Sequence, residues 1–400
     1  MRRRVVIACV LVVTVMAGAL TARPYVHGLS FVVRAADMHG RVRHVADLDT
    51  RPERERELAI PTRRGSMRGR VYEPPQSRRT TLLVSGLHPS GIDEPRLVRL
   101  ARQLSASGVT VITPDIPELS GFEITPAITD SIEQSAAWLA GESGLAPDHR
   151  VGLVGISFSG GLSIVAAGRP PLADRVAYVV SFGGHDDLPR VLRYLCTGTE
   201  PYPQDDVRLT GGGADNTEAV RPFVRPPHDY GVAVILLGTA ERLVPPAQVA
   251  PLRRALHRYL FASALDSNVD KSRAAQEFNE LRMLQKQLPE PSASLLRFVN
   301  DRDVVHLGSR LLPYLSAYGG DPSLSVSKSA RPAAPVFLLH GIDDNVIPSI
   351  ESEYLAADLR GHAPVRLLLS GLISHAEADR PIHVGDVMLL AGFWGDVLSR

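Results

Sequence analysis

Cysteine is nearly absent from this chain: among 400 residues it occurs only as Cys9 and Cys196. Two cysteines exclude a disulfide framework and a cysteine-built metal site, and loss of an N-terminal segment with Cys9 would leave Cys196 as a lone thiol. Lysine is almost as scarce, at Lys271, Lys286 and Lys328. Arginine carries the basic side instead, which reads as a compositional bias and not as a functional mark. Neither charge sign is in excess, with 44 basic against 43 acidic side chains and a formal net charge of +1. Such a balance offers no electrostatic footprint for nucleic acid or another strongly charged partner. Internal repeats and low-complexity tracts are missing as well. What remains is globular, with 44% hydrophobic and 22% charged residues, and long enough to bury a large core in one big domain or two ordinary ones.

The N-terminus carries an address. Met1-Arg2-Arg3-Arg4 precedes an almost wholly apolar stretch from Val5 to Leu20, with small residues at Ala17, Gly18, Ala19 and Ala22. Basic, apolar and small-residue regions in that order describe a secretory signal peptide over residues 1–22. The stretch is short against the about 20 residues of a bilayer span, and an uncleaved signal-anchor is the alternative. Either way the body is expected to be exported, as a secreted or periplasmic protein or one held at the membrane by this segment.

Residues 23–57 mix Leu29, Phe31, Val32 and Val33 with many charges, ending in Arg51-Pro-Glu-Arg-Glu-Arg-Glu57. This reads as a helical or poorly ordered arm closed by a solvated charge run. Strands and helices then alternate over residues 58–188. Glu57–Pro61 and Met67–Tyr72 predict a hairpin, Thr80–Val84 and Val109–Thr113 strands, and Pro95–Ser107 and Ile128–Ala140 helices. Arg150–Gly155 and Val176–Phe182 are two further strands around a helix at Phe158–Ala167. That rhythm implies βαβ units and a mostly parallel α/β sheet. It stops over residues 189–331, which are leucine-rich, helical in period and broken by prolines. It resumes over residues 332–400 with Val336–His340, Val365–Ser370 and a final helix at Val384–Leu398. An insertion of that size is most simply a helical cap over the sheet's active edge.

Within this pattern, Val151-Gly-Leu-Val-Gly155-Ile-Ser157-Phe-Ser159-Gly-Gly161 is an apolar run that breaks into a small-residue turn. Small residues two before and two after a turn serine let strand and helix approach while the hydroxyl stays exposed, as a nucleophile elbow requires. Position 159 is serine where G-x-S-x-G has glycine, and Ser159 also fits the pattern in a shifted register. A serine hydroxyl needs a base, and the base a carboxylate to fix its tautomer. Both follow the insertion. Phe337-Leu-Leu-His-Gly-Ile-Asp-Asp344-Asn-Val-Ile-Pro348 runs an apolar strand into an acidic loop, and the strand Val365–Ser370 leads to a loop bearing His375.

In its elbow, its strand-Gly-x-x-Asp-x-x-Ile-Pro segment and its late Ser-His, taken in that order, the chain resembles the α/β-hydrolase superfamily over about residues 58–188 and 332–400. The resemblance implies Ser157 as nucleophile, Asp344 as acid and His375 as general base. It further implies an oxyanion hole from the backbone N–H of Phe158 and of a residue in the loop after the third strand. That loop has Ser85-Gly86 where relatives often have His-Gly, which leaves Leu87, ahead of His88, as the second donor. Asp343 beside the acid reads as a turn carboxylate and His383 as a neighbouring loop histidine. Asp186 and Asp187 in Gly183-Gly-His-Asp-Asp187 stand where some members place an alternative acid. Glu241 imitates the acid's offset but falls in the insertion, where a surface position on a cap helix is expected. His185 and His228 read as structural or cap-lining residues, since nothing around them has metal-ligand spacing.

The expected activity is hydrolysis of a carboxylic ester, of a small and apolar kind if the cap's leucines line the site, with no cofactor and no metal. A thioesterase or peptidase using the same triad is the alternative enzyme. A non-catalytic binding protein on the same fold is the alternative outside catalysis.

Overall fold

A computed structural model describes residues 22–200, 223–266, 270–373 and 384–400. The expected signal segment with Cys9, and the loop carrying His375 and His383, lie outside the described residues.

The chain opens with a helix over residues 22–35 (α1) and a short α2 (Arg41–Asp47). The hairpin β1 (Arg54–Thr62) and β2 (Gly65–Glu73) follows, then β3 (Thr80–Val84), α3 (Pro95–Ala106), β4 (Thr110–Pro114), the single turn α4 (Pro117–Ser120) and α5 (Pro126–Gly141). Next come β5 (Val151–Ile156), α6 (Phe158–Ala167) and β6 (Val176–Phe182). Between β6 and β9 (Val336–Gly341) lie α7 (Leu188–Thr197), a two-residue pair β7 (Thr199–Glu200) and β8 (Phe223–Val224), α8 (Tyr230–Leu243) and α9 (Pro246–Asp266). The same stretch holds α10 (Lys271–Gln285), α11 (Ser292–Asn300), α12 (Val304–Leu311) and α13 (Leu315–Gly319). The chain closes with α14 (Ile350–Leu359), β10 (Val365–Ser370) and α15 (Val384–Leu398).

Eight strands form one sheet in the order β1-β2-β4-β3-β5-β6-β9-β10. The hairpin is antiparallel, β2 runs antiparallel to β4, and every later pair is parallel. Strands buried on both faces need apolar side chains on both, which is why β3 and β9 carry the consecutive apolar stretches Leu82–Val84 and Val336–Leu339 and not alternations. One face packs on α5, α6 and the inserted helices, the other on α1, α3 and α15. The insertion does not keep a separate core: Val232–Leu237 of α8 and Leu252–Leu260 of α9 share one apolar cluster with Phe158, Leu162 and Leu188.

The N-terminal stretch read as a helical or poorly ordered arm over residues 23–57 is helical in α1 and α2, and β1 starts inside it. The run Arg51–Glu57 is not simply solvated, because Arg54 already pairs with Glu73 and β1 begins there. An edge strand tolerates such charge, since half its side chains face water and Glu57 and Glu55 meet Arg68 and Arg102. Ahead of it, α1 is docked by its apolar face. Phe31 packs on Trp394 with ring centroids 4.5 Å apart, and Gly28 lies so close to α15 that a Cβ would sit 2.0 Å from the Ala391 carbonyl oxygen.

In a parallel sheet the crevice beyond the strands' carboxyl ends opens where the strand order reverses. Here that point lies between β3 and β5, since the chain passes from β3 out to β4 and then back to β5 on β3's other side. The loop at Ser85–Leu87 and the turn at Ser157 both emerge there.

Candidate active site

β5 gives way to α6 in a single residue. Ser157 sits at φ 58°, ψ −130°, a region that non-glycine residues avoid unless their surroundings enforce it. The enforcement is visible: the Ser157 N–H donates to the Phe182 carbonyl at 2.7 Å, and the Ser157 carbonyl accepts from Gly160 N–H at 2.8 Å. Strand and helix touch through glycine, since a Cβ on Gly155 would stand 2.1 Å from the Ser159 carbonyl oxygen. On the helix's far side, a Cβ on Gly161 would stand 2.3 Å from that of His185.

Ser159, which competes for the apex in sequence, is fully buried. Its hydroxyl is turned inward onto the carbonyl oxygens of Ile156, at 2.9 Å, and of Ser85. A serine is thus accommodated where the motif has glycine, because its side chain ties the elbow to the β3 loop. Ser157 alone of the two faces the cavity. With the strand order, this elbow decides the architecture. The chain has the α/β-hydrolase fold.

No family model matches the chain, and neither does any curated protein. Among solved structures it is similar to an esterase from Pyrobaculum calidifontis, at 15% identity over 86% of this chain and 82% of that one, with a TM-score of 0.40. A thermostable carboxylesterase cloned from a metagenomic library is 14% identical over 89% and 92%, TM-score 0.42. A dienelactone hydrolase from Anabaena variabilis is 14% identical over 86% and 96%, TM-score 0.40. The fold is read from the chain's own strand order and elbow, not from these neighbours.

Asp344 lies three residues past β9 and is 2% exposed. Its Oδ1 accepts the N–H groups of Val346 (2.8 Å) and Ile347 (3.1 Å), which fixes the carboxylate in the turn before Pro348. Its Oδ2 lies 3.6 Å from Nε2 of His340. That imidazole is fully buried, with Nε2 2.9 Å from the Ile347 carbonyl and Nδ1 2.6 Å from the Ser352 hydroxyl. The two partners assign the neutral tautomer with its proton on Nε2. His340 therefore clamps the acid turn, a role its place inside an apolar strand did not signal. Asp343 faces away and pairs with Arg225 at 3.1 Å.

Ser157 and Asp344 open onto one cavity of about 610 Å³. Its floor holds Ser85, Gly86 and Gly183, and its walls are apolar, with Leu97, Leu100, Phe122, Phe182 and Leu260. Its mouth carries charges of both signs, Arg96 with Glu94 and Arg302 with Asp266. Leu87 lines the cavity, and Phe158 opens α6, where first-turn N–H groups have no helical acceptor and the helix dipole favours negative charge. His88 also lines it; burial pushes its pKa down, and its Nδ1 accepts the Ser90 N–H at 3.2 Å.

The remaining candidates from sequence lie elsewhere. Burial lowers the pKa of His185, whose Nε2 is 2.9 Å from the Leu324 carbonyl. Asp186 and Asp187 do not line the cavity. Asp187 caps α7, accepting the Arg190 N–H at 2.9 Å, and pairs with Lys328 at 2.6 Å. Asp186 pairs with Arg190 at 3.1 Å, and burial, reinforced by Glu351, pushes its carboxyl up to about 7. Glu241 is exposed on α8, and burial pushes the Cys196 thiol up to about 12. Among the described residues no group of His, Cys, Asp or Glu is placed to hold a metal ion, and no helix is long and apolar enough to cross a membrane.

One cluster escaped sequence reading. Arg190 of α7 lies 2.6 Å from Glu351 of α14 and 3.2 Å from Glu200 of β7, with its guanidinium 3.7 Å above the Tyr354 ring. Glu351 also accepts the Asp186 N–H at 2.7 Å. Burial and the nearby Glu351 push the Glu200 carboxyl up to about 11, which favours its neutral form. No local pattern marks these residues, because their partners lie up to 165 positions away.

Proposed function

We propose that this protein is a serine hydrolase acting on carboxylic esters, with Ser157 as nucleophile, Asp344 as acid and His375 as general base. The observation that carries the reading is the Ser157 backbone. A serine held at positive φ on the carboxyl end of a buried strand, facing a cavity that it shares with a clamped carboxylate, has no packing role to justify the strain. In this reading His375 takes the Ser157 proton as Oγ bonds to the ester carbon. The N–H groups of Phe158 and Leu87 hold the resulting oxyanion. The C–O bond to the alcohol then breaks as His375 returns the proton to the leaving oxygen. Water, deprotonated by the same histidine, releases the acid and frees Ser157. None of these steps calls for a cofactor. The basic and apolar N-terminal sequence supports export of the protein, which cell fractionation of the full chain checks.

Labelling with a fluorophosphonate probe tests the assignment. The wild type is expected to label and Ser157→Ala to remain unlabelled. Equal labelling of both, or none of the wild type, overturns it. Turnover confined to thioesters or amides would keep the serine and replace the ester.

A further inference from the structure

The insertion contributes a second histidine–carboxylate pair to the same cavity. His228 precedes α8 and lines the cavity at 37% side-chain exposure, with Nδ1 2.9 Å from Asp229 Oδ1. Asp229 in turn is fixed from behind: its Oδ2 accepts the Tyr259 hydroxyl at 2.7 Å and lies 3.2 Å from Arg302 Nε. Burial opposes charge on that carboxylate, yet His228, Tyr259 and Arg302 outweigh it and hold the group down at about 2. The His228 backbone N–H donates to the Asn345 carbonyl at 2.9 Å, which locks this histidine to the turn that carries Asp344.

The ring's orientation defines what it can bind. Nδ1 is placed to donate to Asp229, and it also lies 3.2 Å from the Tyr230 N–H, from which it can accept. A protonated ring satisfies Asp229 through Nδ1 and presents Nε2–H to the cavity. A neutral ring that accepts from Tyr230 presents Nε2–H as well, and only the neutral ring with its proton on Nδ1 would present Nε2 as an acceptor. Among the described residues nothing bonds Nε2. At this wall Arg302 is set against the two carboxylates of Asp229 and Asp266. The wall thus offers a hydrogen-bond donor without a net positive field, which favours an uncharged oxygen over a carboxylate.

We propose that His228 is a specificity-determining residue that donates from Nε2 to a second, uncharged carbonyl oxygen of the substrate, so that the preferred esters are oxo-esters or diesters. The inference rests on the serine hydrolase reading of Ser157. For the acyl side, p-nitrophenyl levulinate is compared with the valerate and the anionic hemisuccinate. For the alcohol side, acetonyl butyrate is compared with propyl butyrate. In at least one pair the wild type should favour the oxo-ester about fivefold to tenfold in kcat/KM, the worth of one good hydrogen bond. His228→Ala should abolish that preference, and His228→Gln should restore part of it.

The same esters titrated by NMR onto Ser157→Ala and onto Ser157→Ala/His228→Ala report binding without turnover. If no ester is hydrolysed, the hydrolase reading fails, and this titration still decides the subsite. No preference in either pair, equal loss on both members, or preference for the hemisuccinate overturns the proposal. Loss of fluorophosphonate labelling in His228→Ala also overturns it, by placing His228 at the serine itself.

Discussion

Two polar clusters lie at the same end of this sheet, and they differ in whether their groups face a cavity. Around Arg190, three carboxylates and one guanidinium close on one another, and Glu351 binds backbone N–H groups besides. Around Ser157, the hydroxyl faces a cavity and Asp344 is held by the backbone of its own turn. A closed network fastens α7 and β7, at the start of the insertion, to α14. An open one leaves atoms available for chemistry. Access to the cavity is what separates them.

The sharpest break between the two is activity. Asp344→Asn keeps an acceptor for the Val346 and Ile347 N–H groups but removes the charge. It should lower kcat about 10⁴-fold, as loss of a triad acid does, while chemical denaturation shows stability within about 1 kcal/mol of wild type. A stability loss of several kcal/mol with intact kcat would move Asp344 into the structural class.

Next in size, Arg190→Leu should destabilise the fold by about 3–5 kcal/mol, since the buried Glu351 carboxylate and the carboxyl groups of Asp186 and Glu200 lose the cation they share. Urea unfolding checks this, and a loss under 1 kcal/mol would mean that the network is not a fastening.

The smallest effect is a slope. The folded-state pKa of Glu200 is raised from 4.5 to about 11, so between those values the folded state binds a proton that the unfolded chain has released. Its contribution to stability is therefore full below about pH 4.5 and falls as pH rises toward 11. Glu200→Gln removes that dependence, so its Tm relative to wild type should increase steadily from pH 6 to pH 10. A constant difference across that range would show that Glu200 is ionised in the native protein.

Much of the fold was legible because α/β-hydrolase strands are local patterns. Val176–Phe182, Val365–Ser370 and the helix Phe158–Ala167 emerge with the boundaries read from the chain, and most others differ by a few residues at either end. Apolar runs bounded by glycine and proline need no distant partner to be recognised. The first strand, read as Glu57–Pro61, starts three residues earlier at Arg54, because Glu55 is compatible with both a solvated run and an edge strand, and only pairing with β2 chooses.

By itself, the sequence determined the alternating strands and helices, the long insertion, and the Ser157 and Asp344 turns, because each depends on residues within one turn of the chain. Only the tertiary structure decided which of two serines faces the cavity. Ser159 is turned inward by the Ser85 carbonyl, 74 positions away. Only it, too, brought His228 of the insertion beside the Asp344 turn and closed the Arg190 network. Those arrangements depend on which loops a folded sheet sets side by side, and spacing along the chain carries no record of that.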